Sequence, residues 1–213
     1  MELKEFNENI YNEYLSLENL ESLASPLLVS SKEYLKKVKE NPIMYIGQET
    51  YGWVNFKGDT IYSLDNIEKC YDEFLMKRNT SKTIYWQFIK KILDVDYDKL
   101  YENIVWTNTV LIGSRYSKGA PIMNNKLKEL SLKNLLFLYE YFKPEYVINV
   151  SGIYDPYYDI TDAFLKKIGL NIESPTKENP IVIKDEYMWS YHPNYLRKSG
   201  NEAKVLKKIK ELY

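Results

Sequence analysis

Apolar residues recur at helical spacing through Leu3, Phe6, Ile10, Tyr14 and Leu17, which predicts an amphipathic helix over about the first 20 residues. Ser30 followed by Glu33 fits a capping box and predicts a short helix that stops before Pro42. The run Ile43-Met44-Tyr45-Ile46, closed by Gly47, reads as a short buried strand. Helical patterns follow over 64–76 and 80–93, and Ile104-Val105-Trp106-Thr107 forms a second strand pattern. A strong helix is predicted over 125–142, with Leu127, Leu130, Leu135, Leu138 and Phe142 on its apolar side and Pro144 just past its end. A third strand pattern spans 146–150 and is closed by Ser151-Gly152, after which 159–168 reads as a helix ended by Gly169. Residues 187–191 read as a fourth strand, 181–183 as an edge strand, and 200–212 as a closing helix.

Strands that alternate with helices imply a mostly parallel sheet covered on both faces. The expected fold is therefore α/β: a three-layer α/β/α sandwich around a central, mostly parallel four-stranded sheet. It should form one domain over 1–213, with residues 1–40 as a helical segment packed on it. Ligands in such sheets bind beyond the carboxyl ends of the strands. Glu49, Asn108, Ser151 and His192 each fall at or just past a predicted strand end, so four polar groups should converge on one rim.

Composition narrows the chemistry. Hydrophobic residues make up 45% of the 213, enough for a sizeable core, and the net charge of −1 excludes a protein that coats nucleic acid over its whole surface. Any contact with DNA must be a local patch. The single cysteine, Cys70, excludes an intramolecular disulfide, and with one histidine it argues against a bound transition metal, so neither metal nor cofactor is expected. No apolar run approaches the ~20 residues that span a bilayer, and the polar start Met1-Glu2-Leu3-Lys4-Glu5 has no signal-peptide pattern. A cytoplasmic monomer with no membrane association is the expectation.

His192 is the only histidine, in Tyr191-His192-Pro193-Asn194-Tyr195-Leu196. Pro193 biases it towards an extended backbone, and a neutral imidazole there can donate a hydrogen bond to a developing anion. Glu49 offers a carboxylate able to orient or activate water. Asn108 carries an amide that can read the edge of a base. Tyr51, Trp53 and Phe56 are rings that can stack on a planar ligand, and Arg115, Lys118, Arg197 and Lys198 flank the rim as phosphate contacts. Each has a bland alternative: a loop histidine, a solvated turn carboxylate, a turn-closing amide, core aromatics and solvated cations. Walker, GxGxxG, HExxH and GxSxG motifs are absent from the sequence.

These residues resemble the uracil-DNA glycosylase superfamily. Its first motif is commonly Gly-Gln-Asp-Pro-Tyr-His after a strand, and this chain has Gly47-Gln48-Glu49-Thr50-Tyr51-Gly52. Its closing motif is commonly His-Pro-Ser-Pro-Leu-Ser, matched here by His192-Pro193-Asn194-Tyr195-Leu196-Arg197. Between them Trp106-Thr107-Asn108-Thr109-Val110-Leu111 is similar to the family's strand ending in asparagine, and 143–152 to its strand and glycine. The resemblance covers 42–198 in the right order. It implies an enzyme that flips a base out of DNA and cuts its N-glycosidic bond. In that scheme Glu49 positions water, His192 stabilises the departing base, and Gln48, Asn108 and Tyr51 line the base pocket with Phe56 or Trp53 as its stacking ring. Leu196 wedges into the vacated stack, and Ser151, Arg115, Lys118, Arg197 and Lys198 contact DNA. Glu for Asp at 49 adds a methylene, and Thr50 and Gly52 replace proline and histidine. The alternatives are a glycosylase-like protein that binds nucleic acid or nucleotide without excising uracil, and an unrelated α/β hydrolase.

Overall fold

The computed structural model describes residues 1–50, 53, 61–76 and 83–211. Helix α1 (Leu3–Leu15) buries Phe6, Ile10 and Tyr14 and ends five residues short of expectation. A left-handed Asn19 then turns the chain into β1 (Leu23–Pro26). The helix expected after Ser30 is absent. Glu33 pairs with Lys36 instead of closing a capping box. The N–H groups of the 31–34 turn are satisfied from outside it: Glu68 accepts from Ser31 N–H and Asp72 from Tyr34 N–H. Tertiary carboxylates thus replace the local cap.

Strand β2 (Ile43–Gly47) is wholly buried. It is followed by α2 (Leu64–Met76), α3 (Ile84–Leu93), the single turn α4 (Leu100–Asn103) and β3 (Ile104–Asn108). Residues 80–82 of the helix expected over 80–93 lie outside the described residues. Next come β4 (Ile112–Ser114), the long α5 (Asn125–Phe142), β5 (Val147–Asn149) and α6 (Tyr157–Lys167). The chain continues through β6 (Ile181–Lys184), β7 (Tyr187–Ser190), α7 (Pro193–Lys198) and α8 (Glu202–Lys210). Leu212, where the last helix was expected to end, also lies outside the described residues.

The main sheet has the order β3-β2-β5-β7-β6, parallel except for β6. It has five strands, which corrects the expected four. Ile181-Val182-Ile183 folds back on β7 through Asp185-Glu186, with Asp185 at φ 50°, a left-handed turn conformation that aspartate tolerates. β1 and β4 pair antiparallel in a separate two-stranded sheet that the apolar pattern did not disclose.

Side-chain alternation along β3 shows helices on both faces. Trp106 packs against Tyr71 and Phe74 of α2 and Trp86 of α3. Its neighbour Thr107 points the other way and accepts from Asn134 of α5. The connection from β2 runs to β3 on one side, and that from β5 runs to β7 on the other. With right-handed crossovers, the chain therefore reverses direction between adjacent β2 and β5, and a crevice opens at their carboxyl ends.

Candidate functional site

Gly47, the last residue of β2, pairs with Asn108, the last of β3. A Cβ at position 47 would lie 2.5 Å from the Asn108 amide and 3.0 Å from the Tyr85 hydroxyl, so only glycine fits where these two side chains meet. The next residues are held from several directions. Val110 N–H donates to the Gln48 carbonyl, and the Gln48 side chain crosses the crevice to donate to the Ser151 carbonyl at 2.9 Å. With its amide turned to satisfy its neighbours, Asn108 accepts from Thr50 N–H at 3.2 Å and donates to the Thr107 carbonyl at 3.1 Å. Gly113 of β4 lies so close behind that a Cβ there would sit 2.1 Å from the Thr50 carbonyl. The rigidity that a proline would give at position 50 is supplied by this packing.

Glu49 projects from the clamped turn. Its Oε2 accepts a hydrogen bond from the Tyr157 hydroxyl in the first turn of α6. Main-chain N–H groups of the loop after β4 complete the cluster, Gly119 towards Glu49 and Ala120 towards Tyr157. Burial pushes the Glu49 carboxyl above its usual range, and these hydrogen bonds oppose part of the shift. Tyr157 is raised by burial and by the carboxylate beside it.

His192 stands at the start of α7 rather than in a loop, because Pro193 supplies the preset φ of a first helical residue. Its Nδ1 accepts from Asn194 N–H at 3.2 Å, which assigns the ring proton to Nε2. Burial holds the imidazole pKa down to about 4, and the positive end of the helix acts in the same direction. Near pH 7 the ring is a neutral Nε2–H donor. Tyr85 lies nearly parallel to it, 6.0 Å away. Gly152, at φ 86°, is where the two halves of the rim meet: its Cβ position is 3.9 Å from both Gln48 Nε2 and His192 N. The Trp189 indole fixes this turn by donating to the Gly152 carbonyl.

Glu49, Asn108, Ser151 and His192 therefore lie at the carboxyl ends of four adjacent parallel strands, with Gln48 beside Glu49. Their side chains have different tasks. Ser151 is fully buried, and its hydroxyl and N–H both donate to Asn149 Oδ1, so it offers nothing to a phosphate. Leu196 is fully buried in the main core, because α7 turns that position inward, and it presents no wedge. Arg197 is bound to Glu202 and Gln87, and Arg115 donates to the Glu21 carbonyl. These placements correct the expectation of direct DNA contacts at Ser151 and Leu196. Lys118 and Lys198 are exposed. Tyr51 and Phe56 lie outside the described residues, and Trp53 is buried against Phe74 and Trp106.

Sequence reasoning missed Tyr157 and Tyr85. Tyr157 follows Pro156 among several tyrosines, and nothing in its local pattern separates it from a core residue. No protein-family model matches the chain, and no curated protein matches it.

Proposed function

We propose that this chain is a DNA glycosylase that hydrolyses the N-glycosidic bond of uracil or a related damaged base. The reading draws on the resemblance of 42–198 to the uracil-DNA glycosylase superfamily and its three-layer α/β/α fold. The observation that carries it is a neutral imidazole, His192, whose Nδ1 is occupied and whose Nε2 keeps its proton, on the same rim as a clamped, partly desolvated carboxylate, Glu49. A raised carboxylate pKa makes the better base. In this scheme the C1′–N bond breaks and its electron pair leaves with the base, which the His192 N–H stabilises as an anion. Water adds to C1′ and passes its proton to Glu49. One such preorganised donor is worth about 2.7–4 kcal/mol of barrier.

The test is release of base from uracil-containing single- and double-stranded oligonucleotides, read as alkali-labile abasic sites on a gel. Wild type should give product, Glu49→Gln should give none, and His192→Ala should be slower by about two to three orders of magnitude. No product from wild type on either substrate rejects uracil as the base excised.

A second reading, nucleic-acid or nucleotide binding without excision, is favoured by one observation. Asn108, the base-reading amide of the resemblance, already serves Thr50 and Thr107. That reading predicts salt-dependent affinity for DNA with no abasic product.

A further inference from the structure

Seven large apolar side chains are exposed among the described residues, and four of them, Tyr116, Ile122, Tyr154 and Tyr158, sit on two segments that meet at Glu49. The first is the loop between β4 and α5, whose Gly119 and Ala120 reach Glu49 and Tyr157. The second is the β5–α6 connection with the first turn of α6, which carries Tyr157 itself. Tyr116 is 72% exposed, Tyr154 58% and Tyr158 38%. A third segment, α7, brings half-buried Tyr195 three residues after His192.

Scattered surface tyrosines need no explanation, but three of these rings are backed. Tyr158 lies on Trp189 at 5.8 Å, Tyr195 on Tyr191 at 4.6 Å, and the Arg115 guanidinium sits 5.2 Å from the Tyr116 ring. A ring held on one face and open on the other is a rigid platform for a planar ligand. Exposed Lys118 follows Tyr116 by two residues, and Lys198 follows Tyr195 by three. Aromatic platforms interleaved with cations are what an unpaired strand needs, because bases expose their faces only when unstacked. The surface also carries acids: Asp159 is neutralised by Lys128 at 2.6 Å, Asp155 lies in the same connection, and Glu18 and Glu21 line one hollow with Ser117 and Ile122.

We propose that the rim around Glu49 and His192 is a binding surface for single-stranded DNA, with bases stacked on Tyr116, Tyr154, Tyr158 and Tyr195 and phosphates met by Lys118 and Lys198. A duplex fits less well. It hides its base faces and would meet few cations, and Leu196 is in the core instead of poised to enter a stack. The choice of DNA rests on the glycosylase reading.

The experiment is fluorescence anisotropy with a labelled oligonucleotide that contains no uracil, presented as a single strand, as the annealed duplex and as the RNA of the same sequence. The single DNA strand should bind at least about tenfold more tightly than the duplex. Each stacking ring contributes roughly five- to 150-fold to affinity, so Tyr116→Ala/Tyr154→Ala should lose at least about tenfold. The paired Phe variant should bind as wild type. All these positions are exposed, and circular dichroism checks that the variants fold. Equal or tighter binding of the duplex, tighter binding of the RNA, or unchanged affinity of the double Ala variant overturns the proposal. A surface that serves a protein partner instead would give no measurable oligonucleotide binding at all. Because the probe carries no uracil, failure here leaves excision to be decided by the gel assay.

Discussion

Glu49 and His192 are both partly withdrawn from water, and burial moves their proton affinities in opposite directions. Glu49 is raised, so its ionised form is less welcome in the folded chain than in the unfolded one. Its contribution to stability is fully present below the unfolded pKa and is lost as pH rises through the folded value. Glu49→Gln should therefore abolish excision while raising the urea midpoint near pH 7. His192 is lowered to about 4, so between its ordinary 6.5 and that value the unfolded chain binds a proton that the folded chain refuses. Stability from this group falls as pH drops through that window, and His192→Gln should flatten that part of a urea-midpoint profile. Tyr157 separates positioning from packing. Removing its hydroxyl takes away the largest interaction that lowers the Glu49 pKa. Tyr157→Phe should move the acid limb of kcat/KM to higher pH, and an unchanged limb would make Tyr157 a packing residue only.

At the scale of elements, the site depends on close approach between neighbouring strands. Gly47→Ala places a methyl against Asn108 and Tyr85, and accommodating it should cost about 1–3 kcal/mol in chemical denaturation. Leu196→Ala opens a cavity in the main core, and its cost should be about 2–5 kcal/mol. A wedge residue would lose activity without that loss of stability, so the pair of measurements decides which task Leu196 has. The strands that carry the rim were legible in the sequence because β2, β3, β5 and β7 are short apolar runs ended by Gly47, Asn108, Ser151 and His192. The β1–β4 pair was not, since Leu23-Ala24-Ser25-Pro26 and Ile112-Gly113-Ser114 are too short and mixed to show a period. The turn at 31–34 was misread for a related reason: Glu68 and Asp72, nearly 40 residues later, do the capping that a local rule assigned to Glu33. Long-range hydrogen bonds leave no trace in a local pattern. Tyr157 escaped notice in the same way, because its partner is 108 residues distant.

The molecule as a whole carries a net charge of −1, so affinity for nucleic acid must come from a few local groups. Single-strand contacts release roughly 0.7 counterion per phosphate neutralised. With Lys118 and Lys198 as the contacts, the slope of log K against log salt should be about −1.4, far shallower than for a basic DNA-binding domain, and Lys118→Ala should halve it. No described helix is long and apolar enough to cross a membrane. Among the described residues no three His, Cys, Asp or Glu side chains gather as a metal-binding set.

The small sheet of β1 and β4 has a practical outcome for anyone who trims the chain. Leu23 and Pro26 pair with Ser114 and Ile112, and the Gly113 between those two abuts the carbonyl of Thr50. The amino-terminal segment is thus a mechanical brace for the acid. A shortened version that begins at the first strand of the main sheet would keep every residue named in the proposed reaction, yet the strand that backs the carboxylate's turn would lose its partner in the small sheet.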